Sequence, residues 1–446
     1  MTPGHPPGGP AAPAPAGSDL AGPAAPAAPA RGLLRRLVDV RAGEGPALAW
    51  SFAYGVALMW SYYALRPIRE EMGIRGGVER LHESFLATFL VMLLAVPAFS
   101  ALMARVPRAR AIPVVYRLVL AVLLAFAVLV WSGVAPALVA RAFFVWVSVF
   151  NLFVVSVLWS YLADVFTSQQ GKRLFGFIAG GLSAGAVLGL LTTGLLVRPL
   201  GIPGLLLVSA SLLEVAARCA GRLARWARTG SASAREGEAL GGSPLAGFTL
   251  VARSPYLAAL AAHVILFTFT GTIVYIAQAR LFAALIRDGA TRTQLFAAVD
   301  LGTQVATFLL QSLAAGRLLA GLGLWPALAL HPLLALAGLL GLAAWPSLWL
   351  VTSLQAIRRA IHYAFERPAR EVLFTVVSRE EKYKAKSFLD TVVYRGGDVL
   401  GSQAAAALLA SGVALGGVSL ATAPLALAWL ATARYLRNRH ASLEVR

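Results

Sequence analysis

The sequence predicts an all-α membrane protein whose twelve transmembrane helices form two parallel six-helix pseudo-repeats. Three observations support this prediction: the composition, the number of long apolar segments, and a repeat that relates the two halves of the chain. The 446 residues are 58% hydrophobic and only 13% charged, whereas an ordinary soluble domain carries about 25% charged residues. The mean hydropathy is +0.72. This composition excludes an ordinary soluble globular protein.

Long apolar segments recur along the chain, and each can cross the roughly 30 Å hydrocarbon core of a bilayer as a helix. Only helices and closed barrels satisfy their backbone hydrogen bonds inside lipid, and these segments are far longer than the ~9–11 residues of a barrel strand. The segments are therefore predicted to be helices. The predicted spans are 46–66, 84–104, 111–132, 136–163, 174–197, 202–220, 255–279, 294–316, 322–343, 346–376, 385–411 and 414–436.

The two halves of the chain repeat one another when the first is shifted by 212 residues. The same offset aligns matching residues in helix 1, in the loop between helices 2 and 3, and in the region around helix 5. Two parallel copies of a six-helix unit are therefore predicted. The matched pairs are Tyr63 with Tyr275, Arg105 with Arg317, Lys172 with Lys384, Gly185 with Gly397, and Gly189 with Gly401. Glycines at 181, 185 and 189 share one face of helix 5 and predict close contact with another helix.

The longest hydrophilic segment, 221–254, separates the halves and is predicted to be a cytoplasmic linker. The remaining regions are a disordered Pro/Ala-rich tail with a basic flank (1–45), helical bundles over 46–220 and 255–436, and a short tail (437–446). Arginine and lysine residues concentrate beside the first tail, the linker and alternate loops. Positively charged loops stay in the cytoplasm. This bias predicts that both termini are cytoplasmic, and the Arg/Ala/Gly-rich composition indicates a bacterial source and hence an inner-membrane protein.

The formal charge of +19 comes from 39 basic and 20 acidic residues. Because the arginines flank predicted membrane helices, this charge indicates membrane orientation rather than nucleic-acid binding. The single cysteine, Cys219, excludes an intrachain disulfide and a cysteine metal cluster. The six histidines are scattered without a metal-binding spacing, and the sequence has no P-loop motif. The sequence therefore predicts no metal site and no P-loop, and no cofactor, enzymatic activity or obligate protein partner is evident from it.

Four charges and a proline interrupt predicted helix 10 in the stretch AFERPAREVLF. Glu366 and Arg370 are four residues apart, as are Arg367 and Glu371, so each charge is predicted to find a partner on its own helix. Pro368 is predicted to kink the helix because it removes a backbone donor. Charges at membrane depth are costly unless they face protein or water. The stretch is therefore either a functional site or a charge network that latches the cytoplasmic gate.

Arginines at the outer end of helix 1 and deep in helix 10 are candidate ligands of an anion. Arg66, Arg69 and Glu70 cluster at the end of helix 1, and Arg358 and Arg359 lie deeper in helix 10 than the charges above. A guanidinium binds phosphate or carboxylate with two hydrogen bonds. The alternative for helix 1 is that these arginines place their charged ends at the membrane–water interface and bind no substrate.

Other charged residues are predicted to serve gates, loops or coupling. Asp164, Lys172 and Arg173 follow helix 4 and are predicted gate or loop contacts. Asp300 is an isolated acid in helix 8, either a protonatable coupling residue or a partner of Gln304. Positive charge after helix 10 is expected to attract an anionic substrate or lipid. This last region holds Lys382, Lys384, Lys386, Asp390, Arg395 and Asp398.

These stretches resemble the ATP:ADP antiporter family, the nucleotide translocases of plastids and obligate intracellular bacteria, which is related to the major facilitator superfamily. The match in and beyond helix 10 is the most specific. The chain departs from the family pattern where Arg69 and Arg370 stand for lysines, and where Asp398 stands for a lysine and reverses its charge. The matching residues are Arg66, Arg69, Glu70, Trp159, Ala163, Asp164, Thr167, Lys172, Arg173, Tyr363, Ala364, Pro368, Arg370, Glu371, Lys382, Lys384, Lys386, Asp390 and Arg395.

The resemblance implies a transporter that exchanges nucleotides such as ATP and ADP, or another phosphorylated organic anion, at a site between two rocking halves. It implies substrate contacts from Arg66, Arg69, Arg370, Arg395 and Lys384. The residues assigned as their charge partners or as gate residues are Glu70, Asp164, Lys172, Arg173, Glu366, Glu371, Asp390 and Asp398.

Two alternatives remain open from the sequence. The first is a proton-coupled carrier or exporter of an unrelated small solute, with Asp300, Glu366 or Asp398 as the titrating acid. The second is a non-transporting membrane scaffold or sensor, in which large apolar side chains would fill the space between the halves.

Overall fold

The computed structural model describes residues 39–444 except 42, 106–107, 230–243, 316–320 and 322. Most of the predicted tail and the middle of the predicted linker lie outside these described residues. The first half of the described chain contains α1 (Gly45–Arg75), α2 (Leu81–Arg105), α3 (Arg108–Ser132), α4 (Pro136–Val165), α5 (168–200) and α6 (202–229). Helices α5 and α6 are continuous apart from a reversal at Gly201, whose φ of +63° is a conformation that glycine adopts without a Cβ clash.

The second half begins after a short linking helix, Pro244–Arg253. Its long helices are α7 (Pro255–Leu285), α8 (Gly289–Leu310), α9 (Leu324–Ala344), α10 (348–373), α11 (379–410) and α12 (Leu415–Glu444). The described helices therefore reproduce the twelve predicted spans in order. The largest differences lie at the ends of α1, α6 and α12, which continue to Arg75, Thr229 and Glu444. Helix α11 begins earlier than predicted, at Arg379, behind a capping box made by Ser378 and Glu381.

Widened π-helical turns interrupt three helices of the second half: Gln311–Ala315 ends α8, His362–Glu366 lies within α10, and Leu389–Val393 lies within α11. In α10 the N–H of Arg367 bonds to the carbonyl of His362, five residues earlier. The turn lies directly before Pro368, which supplies no N–H of its own. The disturbance predicted at this proline is therefore a widened turn, and such turns are frequent at functional sites.

Eight helices among the described residues are long and apolar enough to cross a membrane. One of them, 168–227, folds back at Gly201 and so holds two of the predicted spans. The eight helices therefore hold nine of the twelve predicted spans, and the remaining three spans are α1, α10 and α11. Helix α1 is rich in tyrosine, serine and terminal charges, and the other two are divided by their π turns. These less apolar helices are the ones that supply most of the polar interior described below.

Glycines bring equivalent helix pairs together in both halves. A Cβ at Gly185 would overlap the carbonyl oxygen of Val56 in α1, and one at Gly397 would overlap the Thr268 hydroxyl in α7. Val56 and Thr268 are themselves 212 residues apart. The contact of α5 with α1 is thus repeated as the contact of α11 with α7, which confirms both the repeat and the close packing predicted from the glycines.

The halves meet at the end where α1 stops and α8 starts, called here the closed end. Both oxygens of Glu71 in α1 accept hydrogen bonds from Arg292 in α8, each at 2.7 Å, and Arg75 Nε lies 2.8 Å from the same carboxylate. An apolar cluster seals this end further. It contains Ile74, Leu81, Phe85, Phe144, Ala279, Phe282 and Phe296, drawn from both halves.

Candidate functional site

A central pocket of about 200 Å³ lies between the halves, beneath the closed end. Helices α1, α4, α7, α10 and α11 supply most of its lining. A wider vestibule of about 920 Å³ adjoins it and shares Tyr62, Arg66 and Tyr363 in its wall. The vestibule lies toward the end where α1 begins, since it is also lined by Met59 and by Gln311 at the far end of α8. Ligand sites for small molecules typically occupy about 300–1,000 Å³.

Positive charge dominates the central pocket. Its wall contains five arginines and two carboxylates, Glu70 and Asp398. A third carboxylate, Asp300, is buried behind the wall and pairs with two of the arginines. With the histidines neutral, five cations against three anions give this set a formal charge of +2. The five arginines are Arg66, Arg69, Arg358, Arg359 and Arg395.

Asp300 joins the two halves through arginines on both sides. Arg66 Nε of α1 lies 3.1 Å from one carboxylate oxygen, and Arg359 Nη1 of α10 donates to the other. Of the two predicted roles of Asp300, the polar contact with Gln304 is not found, because two guanidinium groups from other helices contact the carboxylate instead. Gln304 lines the vestibule instead.

Arg69 is held by three groups at the wall of the pocket. Its Nε donates to Ser148 Oγ in α4 at 2.8 Å, and its Nη1 donates to Glu70 at 2.8 Å. Its guanidinium also lies over the ring of Phe144, 4.2 Å from the centroid, a distance at which a cation–π attraction operates. Arg69 is therefore fixed in orientation while part of its guanidinium remains exposed to the pocket.

Arg395 and Asp398 form a pair in α11, on the opposite wall. Arg395 Nη1 donates to Asp398 at 3.2 Å, and Thr272 of α7 donates to the same carboxylate at 3.0 Å. Asp398 was predicted to be a charge partner of the substrate-contacting residues, and it pairs with Arg395.

Arg358 is the most buried arginine of the pocket, with 8% of its surface exposed. Its Nε and Nη2 donate to the side-chain oxygen of Gln355 at 3.3 and 3.0 Å. Within the described part of the chain, no carboxylate lies at ion-pair distance from it. Gly271 makes room for the group, since a Cβ there would lie 2.5 Å from Nη1. Glu366 and Asp398 act on this guanidinium electrostatically from beyond ion-pair distance, whereas each of the other four arginines has a carboxylate within ion-pair distance.

Aromatic rings complete the wall of the pocket. They can stack on a planar group of a ligand, and the tyrosines can also donate or accept hydrogen bonds. The sequence analysis assigned none of these rings to the site, because aromatic residues are common in membrane helices and no spacing distinguishes those that face a cavity. The aromatic lining residues are Tyr62, Phe85, Phe267, Tyr275, Tyr363 and Tyr394.

The structure places several predicted site residues away from the central pocket. Arg370 Nη2 lies 2.8 Å from Asp390, and Glu371 accepts from Lys386 at 2.6 Å, so α10 is tied to α11 beyond the pocket. The prediction that Arg370 would pair with Glu366 on its own helix was wrong, because an acid of α11 is the closer partner. Lys384 is half-buried in the first segment of α11 and does not line either cavity.

The predicted gate residues after α4 lie near the start of α1. Arg173 makes two hydrogen bonds to Glu44, at 2.8 and 3.1 Å, and Gln170 donates to the same carboxylate at 3.1 Å. These bonds, led by that of Arg173, lower the pKa of Glu44 from 4.5 to about 2. Asp164 is half-buried and Lys172 is exposed.

Glu366 has different partners from those predicted. It is 2% exposed and lies among three histidines, drawn from α7, α9 and α10. Its Oε2 is 2.5 Å from His331 Nδ1 and 2.8 Å from His362 Nδ1. Its Oε1 is 3.5 Å from His263 Nε2. The sequence showed these histidines only as scattered residues, because three separate helices have to pack before they meet.

Neither a comparison with protein-family models nor a sequence search of curated proteins finds a match. Solved structures do match over nearly the whole chain. A bacterial homologue of the iron transporter ferroportin, in an inward-facing state, is 16% identical with a TM-score of 0.60 and covers 90% of this chain and 99% of its own.

The nucleoside transporter NupG is 14% identical with a TM-score of 0.53, and the match covers 90% of this chain and 99% of NupG. A bacterial homologue of the human lysosomal transporter Spinster, inward-facing and unoccupied, is 15% identical with a TM-score of 0.51, over 91% of this chain and 97% of its own. Together with the twelve helices and the repeat, these matches show that the chain has the major facilitator fold.

Proposed function

We propose that the protein is a bacterial inner-membrane carrier that moves a phosphorylated organic anion, with nucleotides as the first class to test, by alternating access and exchange. The observation that carries the proposal is the guanidinium of Arg358, buried in a pocket of net positive charge with no carboxylate of the described residues at ion-pair distance. A phosphoryl group carries the charge and the oxygen acceptors that such a group binds.

The surroundings of Arg358 favour a substrate with both an anionic group and a planar ring. Phosphate oxygens would contact Arg358, with Arg69 and Arg395 beside them, while rings such as Tyr62 and Tyr394 are available for stacking on a base. NupG carries nucleosides on the same fold, so the fold accommodates a nucleobase. The ATP:ADP antiporter family, which the sequence resembles, exchanges nucleotides.

The arrangement of the halves fits one state of an alternating-access cycle. Glu71, Arg292 and the apolar cluster close one end of the central pocket, and the vestibule extends the cavity toward the other end. If the predicted orientation holds, the open side faces the cytoplasm. Rocking of the halves would break the Glu71–Arg292 contact and expose the same pocket to the opposite side.

Exchange in proteoliposomes tests the proposal. Vesicles loaded with ADP should take up labelled ATP above the level of empty vesicles, and Arg358→Gln and Arg69→Ala should each reduce uptake at least tenfold. Arg222→Gln is the control, because Arg222 lies outside the pocket, over the ring of Trp50. If no nucleotide and no organophosphate exchanges, or if Arg358→Gln transports like wild type, the proposal is wrong.

A second candidate, proton-coupled transport, is favoured by the position of Asp300. Protonation of this buried carboxylate would weaken its hold on both Arg66 and Arg359 and so loosen a link between the halves. Uptake that follows an imposed pH gradient, and disappears in Asp300→Asn, would support it. The scaffold alternative receives no support, since the space between the halves is a polar cavity rather than a packed apolar core.

A further inference from the structure

We infer that His331, His362 and Glu366 form a binding site for a divalent transition-metal ion such as Zn²⁺ or Co²⁺. One ligand atom of each, a ring nitrogen of the two histidines and a carboxylate oxygen, lies within 4.8 Å of the other two. Two imidazoles and one carboxylate are a donor set suited to Zn²⁺, Co²⁺ and similar ions. The inference is independent of the proposed function, since binding of the ion is measured without transport.

The burial of Glu366 provides the first reason. A carboxylate that is 2% exposed needs a positive partner, because an unpaired buried charge is strongly destabilising. Among the described residues only histidines lie within ion-pair distance of it, and no arginine or lysine does. Arg358 acts on this carboxylate electrostatically only from beyond that distance, so a bound cation would supply a closer positive charge.

The outer contacts of the cluster provide the second reason. Trp429 Nε1–H, which can only donate, lies 3.1 Å from Nδ1 of His263. The same indole N–H also lies 3.3 Å from Nε2 of His263, and this nitrogen faces Oε1 of Glu366 at 3.5 Å. His263 therefore contacts the carboxylate oxygen that the other two histidines do not contact, and residues surrounding metal ligands commonly make such contacts.

The local backbone provides the third reason. His362 and Glu366 are the first and last residues of the π turn in α10, so two of the three ligands come from one irregular turn of a kind that is frequent at functional sites. His362 also lines the central pocket, which gives an ion a route to the buried ligands. Its ring is stacked on Phe267, with centroids 4.4 Å apart.

Metal binding requires a small expansion of the cluster. The Nδ1 atoms now lie 2.5 and 2.8 Å from Glu366 Oε2, whereas ligands at about 2.0–2.1 Å from tetrahedral Zn²⁺ are about 3.3 Å apart. Each contact must therefore lengthen by roughly 0.5–0.8 Å. Three protein ligands leave a fourth position for water or for an anion.

The test is metal titration of the purified full chain in detergent, after removal of any affinity tag. Wild type should bind one Co²⁺ or Zn²⁺ per chain, and Co²⁺ should show the absorption of a tetrahedral site. Glu366→Gln and His331→Gln should lose stoichiometric binding, and His263→Phe should weaken it by about 10- to 100-fold. His82→Ala is the matched control, since His82 is a histidine of α2 away from the cluster, and it should bind like wild type.

His362→Cys keeps the test decisive if a variant fails to fold. A thiolate at this position would add a sulfur-to-cobalt charge-transfer band only if residue 362 is a ligand. Absence of stoichiometric metal in the folded wild type, binding unchanged by Glu366→Gln, or a pH-dependent transition of the cluster without any metal uptake would each overturn the inference. The last outcome would identify a shared proton as the cation at Glu366.

Discussion

Replacement of Gly271 by alanine tests the role of Arg358 without removing its charge. The added Cβ would lie 2.5 Å from Nη1, 3.1 Å from Cζ and 3.2 Å from Nη2 of Arg358. Since ordinary contacts begin near 3.4 Å, the guanidinium must move by about 1 Å. The obstructed atoms form the far end of a flexible side chain, so the protein should still fold.

The expected loss follows from the hydrogen bond that this movement breaks. A charge-assisted hydrogen bond contributes about 1.5–3 kcal/mol, and its loss weakens binding by about 10- to 150-fold. A thermal-shift screen of nucleotides and organophosphates would first find the anion that stabilises the wild type most. Titration calorimetry with that anion should then show the predicted increase in Kd for Gly271→Ala.

Gly302→Ala in α8 is the matched control, because a Cβ at Gly302 meets nothing within 4 Å. It should bind the anion like wild type and unfold at a similar temperature. Wild-type affinity in Gly271→Ala, or an equal loss in both variants, would refute the assignment of Arg358 as the anion ligand.

Three further outcomes test the packing and the ends of the bundle. Gly185→Ala should lower stability by about 1–3 kcal/mol, because its Cβ meets backbone of α1, whereas Gly180→Ala, with open space around it, should be neutral in the same thermal unfolding assay. The pKa of Glu44 is depressed from 4.5 to about 2 in the folded state, so its pairing stabilises the fold above pH 4.5, by about 1 kcal/mol once solvent screening is included. This contribution is lost as the pH falls toward 2, and Glu44→Gln should flatten the pH dependence of unfolding in that range. Glu71→Ala should destabilise the protein by about 3–5 kcal/mol by leaving Arg292 buried without its partner, and a double-mutant cycle with Arg292→Ala should show that the two losses are not additive.

Features that depend on local sequence could be predicted. A membrane span is set by some twenty consecutive apolar residues, so all twelve helices and their order were correct. The repeat was visible because its glycines, such as Gly185 and Gly397, are fixed by helix contacts that no other residue permits. The exact beginning of α11 was missed because its first turns, from Arg379, are too polar to count as part of a span.

Pairings between distant residues could not be predicted. Spacing along one helix suggested that Glu366 pairs with Arg370, but His331 of α9 and Asp390 of α11 are the closer partners. Tertiary packing likewise decides which arginine remains without an acid. Arg66, Arg69 and Arg395 were predicted site residues and do line the pocket, yet each is paired.

The most direct test of the account is an experimental structure of the protein with the best-binding anion. We expect density for the phosphoryl group within about 3 Å of the Arg358 guanidinium, with the remainder of the ligand against the aromatic wall of the central pocket. A well-occupied ligand bound elsewhere, with Arg358 held by a protein carboxylate instead, would contradict the account.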